Sequence, residues 1–140
     1  MTLAFREAQD VNLENVVNLW KACELTRPWN DPYKDIKFAR EGATSAVLVG
    51  ILDDRIVASV MVGHDGHRGV IYYLAVDPAF RKRGYGKAAV AAGETWLRGR
   101  GVWKINLMVR NDNAAAGRFY ERLGYEVNTV TSYGKRLDGP

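Results

Sequence analysis

Leu13, Val16, Val17, Trp20 and Cys23 recur at spacings of three and four, so they share one face of a helix expected over residues 11–24, with Asp10 as its N-cap. Arg27-Pro-Trp-Asn-Asp-Pro32 carries two prolines and ends that helix; a short polar helix is expected over residues 33–40. The period then changes. Residues 46–52 and 56–63 are apolar runs of strand length joined by a turn at Asp53-Asp-Arg55. After a second turn, His64-Asp-Gly-His-Arg-Gly69, residues 70–76 are nearly continuous in β-branched and aromatic side chains. That pattern predicts a central, buried strand, closed by Pro78. A helix is expected over residues 84–98, a strand over 104–109, and a helix over 114–123 capped by Asn113 and stopped by Gly124. An edge strand at residues 3–7 and a closing pair at 125–130 and 132–137 complete the set. The order β-α-α-β-β-β-α-β-α-β-β needs both hairpins and a crossover. It predicts an α/β fold with a mixed, mostly antiparallel sheet.

Composition narrows the class. The chain has 140 residues, 47% hydrophobic and 26% charged, with no repeat and no linker-like stretch, so one domain over 1–140 is expected. No apolar run reaches the roughly 18 residues of a membrane span, and the start does not read as a signal peptide, which points to a cytoplasmic protein. One cysteine, Cys23, allows no internal disulfide, and two histidines make no zinc-type cluster. The net charge of +4 suits an anionic small ligand as well as nucleic acid.

The charge is not spread evenly. Arg81-Lys-Arg-Gly-Tyr-Gly-Lys87 follows the buried strand and opens a helix. A helix start offers unpaired N–H groups and a positive dipole end, and Gly84 and Gly86 let an anion approach the backbone. Arg81, Lys82, Arg83 and Lys87 surround the same turn, so the segment reads as a polyphosphate seat. A dinucleotide fingerprint fails here, because seven residues separate strand and glycines and no acidic residue follows at ribose distance. A P-loop fails because Ala88, not Ser or Thr, follows Lys87. Concentration at one helix start also argues against a nucleic-acid face. Further on, Asn113 and Tyr120 lie two turns apart on one helix face, with only Ala114, Ala115, Ala116 and Gly117 of little bulk directly after the cap. Such a face leaves room for a slender ligand.

In this order the two segments resemble the GCN5-related N-acetyltransferase (GNAT) superfamily. Its motif Arg/Gln-x-x-Gly-x-Gly/Ala falls on Arg81, Gly84 and Gly86; its Asn-x-x-Ala-x-x-x-Tyr-x-x-x-Gly-Phe/Tyr falls on Asn113, Ala116, Tyr120, Gly124 and Tyr125. The resemblance spans the chain and implies a sheet of about seven strands with about four helices, splayed between the fourth and fifth strands. It implies acetyl-CoA as co-substrate, no metal, and direct acetyl transfer to a primary amine in a ternary complex. Backbone groups of Leu74, Ala75 and Val76 would pair with pantetheine, and a strand N–H near Ala75 or Val76 would stabilise the oxyanion. N–H groups of Arg81, Lys82, Arg83, Gly84, Tyr85, Gly86 and Lys87 would hold the pyrophosphate. Asn111, Asn113 and Ala116 would line the cofactor, and Tyr120 would stand near the sulfur as general acid. A small-molecule amine is the expected partner, with no nucleic acid and no membrane; a homodimer stays open.

Two departures bear on the acceptor. Relatives that act on protein lysines carry a Glu early in the fourth strand, where Val70 stands here. Ribosomal-protein N-terminal acetylases carry a Glu before the Val that ends the fifth strand, where Met108 stands. The general base therefore stays open among Asp31, His67 and Tyr72. Arg27-Pro-Trp-Asn-Asp-Pro32 and Asp65-Gly-His-Arg-Gly69 resemble the YpeA-type bacterial subgroup. Arg27, Trp29, Asn30 and Asp31 would then contact a small polar amine. The alternative is a packed loop, with Trp29 on the core and Arg27 paired to Asp31. The rival functions are a peptide or protein N-acetyltransferase and a CoA-binding protein without catalysis.

Overall fold

Asp53 and Asp54 both take left-handed φ, 50° and 62°, as a two-residue type I′ hairpin requires. They join β2 (Ser45–Leu52) to β3 (Arg55–His64), with Leu52 opposite Arg55. β1 (Ala4–Glu7) adds to β2, and β4 (Gly69–Val76) adds to β3, giving the antiparallel order β1-β2-β3-β4. The computed structural model describes residues 2–139, in two units: one up to Met108, holding this sheet, and one from Val109 on.

The helices of the first unit cover both sheet faces. α1 (Leu13–Ala22) and α2 (Pro32–Glu41) lie on one, where Val16, Val17, Trp20, Ile36, Val47, Val49 and Ala75 form a core. Trp20 is fully buried, and its indole N–H donates to Ser59 Oγ on β3 at 2.8 Å. α3 (Tyr85–Arg98) lies on the other face, with Gly93 over Ile71 and Val62. The helix expected from residue 11 begins as a 3-10 turn, Asp10–Asn12, whose cap is Gln9 rather than Asp10. Asp10 instead pairs with Arg40 at 2.6 Å.

Four α-helices are found among the described residues, the fourth being α4 (Ala114–Arg122) in the second unit. The expected strand count is corrected: four strands form among the described residues, not about seven. Residues 104–109 alternate between exposed and half-buried, the pattern that predicted a strand, yet make a single parallel bridge, Ile105 to Gly69. Residues 125–130 and 132–137 form no ladder. Their apolar members Val127, Val130, Tyr133 and Leu137 are 79–93% exposed, so no buried face holds them as a sheet. The expectation of a central β4 is also corrected: it is the last strand of the sheet, and Tyr72 is half exposed.

Candidate functional site

The turn before α3 has the features of an anion seat. Gly84 is the N-cap at φ 80°, a conformation that favours glycine, and no side chain caps the helix. The first bond at this end is Ala88 N–H to Gly84 O at 3.0 Å, so the N–H groups of Tyr85, Gly86 and Lys87 lie ahead of it, without intrahelical acceptors. Lys82 is also left-handed, φ 64°, which bends the chain just before this turn. A Cβ built on Gly84 would meet nothing within 4 Å, so the space ahead of the helix is open. Arg81, Lys82, Arg83 and Lys87 are exposed, and no carboxylate pairs with them among the described residues. Open space, unpaired donors and four cations fit the pyrophosphate of a CoA-type ligand. The guanidiniums of Arg55 and Arg83 each lie 5.1 Å from the Phe80 ring, bracing the approach to this turn.

β4 reaches the seat through an irregularity that the sequence does not reveal. Ser59 pairs with Ala75 and Met61 with Tyr72, so Val60 faces two residues, Tyr73 and Leu74. That is a β-bulge, and Tyr73 sits in it at φ 51°. Parity confirms the insertion: Ile71 packs under α3 while Ala75, four residues on, joins the core under α1. The left-handed backbone costs Tyr73 about 1–2 kcal/mol. Two contacts offset it. Its ring stacks on Trp20, centroids 3.9 Å apart and 3° from parallel, and its hydroxyl donates to Asp35 Oδ2 on α2 at 2.6 Å. Such a stack contributes about 0.5–1.5 kcal/mol and a hydrogen bond to a charged group about 1.5–3 kcal/mol. Burial, with Asp35 beside it, pushes the Tyr73 hydroxyl well above the usual tyrosine range.

Beyond the bulge, Asp77 N–H donates to Val57 O on β3 at 2.8 Å. Strand alternation then turns the N–H of Val76, and not that of Ala75, to the opposite edge. This narrows the expected oxyanion donor to Val76. The Cys23 thiol donates to Val76 O at 3.2 Å and ties the end of α1 to this edge. Past the Gly69–Ile105 bridge no strand pairs with that edge among the described residues.

In the second unit, α4 is built from its ends. Asn113 Oδ1 accepts from Ala116 N–H at 3.1 Å, which uses the oxygen as a cap and leaves the side-chain NH2 to donate elsewhere. Gly124, φ 94°, closes a Schellman motif: Gly124 N–H donates to Glu121 O and Tyr125 N–H to Tyr120 O, each at 3.0 Å. The motif sets the Tyr125 ring edge-on to Tyr120 at 5.7 Å, with Phe119 at 5.1 Å on another side. Burial pushes the Tyr120 hydroxyl up to about 12. A hydroxyl held neutral this firmly keeps a proton to donate across the neutral range. Asn111 sits in the exposed turn before the cap, and Ala116 is half-buried.

The expected acceptor residues divide. Asp31 caps α2, its Oδ1 accepting from Tyr33 N–H at 2.9 Å and Lys34 N–H at 3.4 Å. Arg27 is turned back on its own loop, donating to the carbonyls of Glu24 and Thr26 at 2.8 and 3.0 Å, so it is committed to the loop rather than offered to a carboxylate. Trp29 is 58% exposed, and Asn30 N–H donates to Arg27 O. The packed-loop alternative is not what forms, since Trp29 is not in the core and no Arg27–Asp31 ion pair occurs among the described residues. His67 is corrected: it lies in the β3–β4 turn, where its N–H donates to Asp65 Oδ1. That turn is at the other end of β4, about 20 Å of strand from Leu74. Tyr72 lies beside the bulge. Tyr73 and Asp35 were not foreseen, because a continuous apolar run hides the parity change that turns Tyr73 toward α2.

Comparison with known proteins follows the same lines. The sequence model of the acetyltransferase (GNAT) family matches residues 13–125. An acetyltransferase of Yersinia enterocolitica is 44% identical over 135 residues, 96% of each chain. One of Pectobacterium atrosepticum is 47% identical over 126 residues, 90% of this chain and 89% of that one. Among solved structures, AAC(6')-Iy in complex with the bisubstrate analogue CoA-S-monomethyl-acetylneamine has a TM-score of 0.83 at 19% identity, over 98% of this chain and 100% of that chain. PaiA N-acetyltransferase of Thermoplasma acidophilum in complex with coenzyme A has a TM-score of 0.78 at 15% identity, over 94% of both chains. At these identities the structural likeness concerns the fold.

Proposed function

We propose that this chain, which belongs to the acetyltransferase (GNAT) family, moves an acetyl group from acetyl-CoA to the primary amine of a small molecule. The observation that carries the reading is the uncapped start of α3, with Gly84 at φ 80° facing open space and four cations around it that pair with no carboxylate among the described residues. Acetyl-CoA supplies an activated thioester. The N–H groups of Tyr85, Gly86 and Lys87 hold its pyrophosphate, and the outward edge of β4 lies along the pantetheine. The Val76 N–H donates to the carbonyl oxygen as negative charge builds there. The family motif would bring the second unit's residues to the same cofactor, the Asn113 side-chain NH2 donating to it and the Tyr120 hydroxyl donating to the departing sulfur. The attacking nitrogen gives up its proton to solvent as the C–S bond breaks, and the departing thiolate takes one up from solvent, so the step balances with no change of oxidation state. Most of the acceleration comes from holding amine and thioester together.

A small acceptor is favoured by the exposed Trp29 and by Val70 and Met108, which stand where protein-directed relatives carry glutamates. The fold neighbours include AAC(6')-Iy with an acetylneamine analogue, and an aminoglycoside acetyltransferase solved with sisomicin. Aminoglycosides therefore join polyamines, amino acids and short peptides in the test. Thiol release from acetyl-CoA is followed across the four classes. Turnover confined to a small amine supports the reading, and turnover confined to peptides overturns the choice of acceptor. Absence of acetyl-CoA binding overturns the reading as a whole.

A further inference from the structure

Tyr73 adopts a backbone conformation unfavourable to a residue with a Cβ, yet both of its functional parts are held: the ring by Trp20, the hydroxyl by Asp35. Neither contact survives in a regular strand, because strict alternation would send Tyr73 to the α3 face with Ile71. The bulge and the two contacts therefore require each other. Asp35 lies one turn into α2, its N–H donating to the carbonyl of the cap, Asp31, at 3.0 Å, and Asp31 closes the loop that carries Trp29.

We propose that Tyr73 and Asp35 form a positioning clamp, in which their hydrogen bond and the Trp20 stack keep β4 bulged and aim the outward backbone of Leu74 and Val76. The same clamp references the acceptor loop, through α2, to the strand edge. What that edge does rests on the acetyl-CoA reading above; the clamp itself does not. Tyr73 and Asp35 are positioning residues and need not touch the reacting atoms.

The test uses the full chain with three substitutions. Tyr73→Phe keeps the stack and removes the hydroxyl, Asp35→Ala removes the acceptor, and Asp35→Asn keeps an oxygen that the hydroxyl can still donate to. Hydrogen exchange of the free protein should rise about tenfold at residues 72–77 in Tyr73→Phe and Asp35→Ala, and little elsewhere. Asp35→Asn should stay near wild type. With acetyl-CoA as probe, the Kd should rise by up to about tenfold in Tyr73→Phe and Asp35→Ala, because the loosened edge is the one that lies along the pantetheine, and stay near wild type in Asp35→Asn. With neamine as the amine, kcat should fall about tenfold in the first two variants while the neamine KM holds. Unchanged exchange at residues 72–77 overturns the clamp. So does a rise spread evenly over the chain, or an Asn variant no better than the Ala variant. A wild-type protein that fails to bind acetyl-CoA overturns the functional reading instead, and exchange in the free protein still decides the clamp.

Discussion

Replacing Gly84 by Glu tests the anion seat where it is most exposed. The substitution acts on two quantities that must be kept apart. A side chain at φ 80° is strained, at a cost of about 1–2 kcal/mol. A carboxylate at a helix start recovers about 0.3–1 kcal/mol through the helix dipole. The free protein should therefore lose between nothing and about 2 kcal/mol. At about 2.1 cal/mol/K per residue, 140 residues give an unfolding entropy of about 0.3 kcal/mol/K, so the free Tm falls by at most about 7 °C. Ligand binding acts on the other quantity. Acetyl-CoA at a hundred times its Kd adds about 2.7 kcal/mol, or about 9 °C. The Glu side chain occupies open space in which nothing else lies within 4 Å, and it puts negative charge where phosphate would sit.

Thermal melts with and without acetyl-CoA separate the two. Wild type should gain about 9 °C at that ratio, and Gly84→Glu should gain almost nothing. Gly66→Glu is the control: φ 85°, equally open space, but in the β3–β4 turn. It carries the same strain and should keep the full ligand shift. Pantetheine without phosphate should shift wild type far less. An undiminished shift in Gly84→Glu would refute the seat, as would a loss of the shift in Gly66→Glu.

Other expectations follow from the same geometry. Tyr120→Phe should lower kcat by about 10–10³ while acetyl-CoA Kd changes only a few fold, and an unchanged kcat would move the sulfur's hydrogen bond elsewhere. With the Tyr120 hydroxyl at about 12, the pH profile of kcat should show no falling limb from this group below about pH 11. The unfolded tyrosine ionises first, near 10, so the stability gained from keeping Tyr120 neutral is full below that pH and lost as pH rises toward 12. Alkaline melts should show wild type losing stability more steeply than Tyr120→Phe over that window. Asp31→Asn keeps a good N-cap and removes one charge, so Tm should hold while the acceptor KM rises about tenfold. Trp29→Ala should do the same, and a large loss of Tm in either would mean the loop packs rather than selects.

What the sequence disclosed was local. The start of α4 at Asn113 and its stop at Gly124 are written in capping chemistry, and the structure places both where the residues call for them. The β2–β3 hairpin follows from two adjacent aspartates able to take left-handed φ. The glycine-and-cation turn before α3 needs only neighbours in the chain, so it too was legible. The missed features are non-local. Residues 104–109 alternate as a strand should, but alternation says nothing of whether a partner runs alongside, and among the described residues one does so only at Ile105. The bulge at Tyr73 is hidden because residues 70–76 hold no polar position to mark which face each one takes. Asp35 looked like an ordinary charge on a polar helix, since its partner lies 38 positions away.

That division has a chemical basis. A thiolate is a good leaving group, with a thiol near 8.5, so the transfer makes little demand on a strong side-chain acid. It demands position: an amine in line with the carbonyl, and an N–H already aimed at the oxygen. In the proposed function main-chain groups would supply those donors at the α3 start and at Val76, and any sequence has them. Their direction depends on what holds the backbone: Gly84 through its φ, Tyr73 through Trp20 and Asp35, Val76 through the Cys23 thiol. The side chains that matter to turnover should then include several that never meet the substrate. Loss of such a side chain should lower kcat with little change in the acceptor KM, whereas loss of Trp29 or the Asp31 charge should raise the acceptor KM with kcat nearly intact.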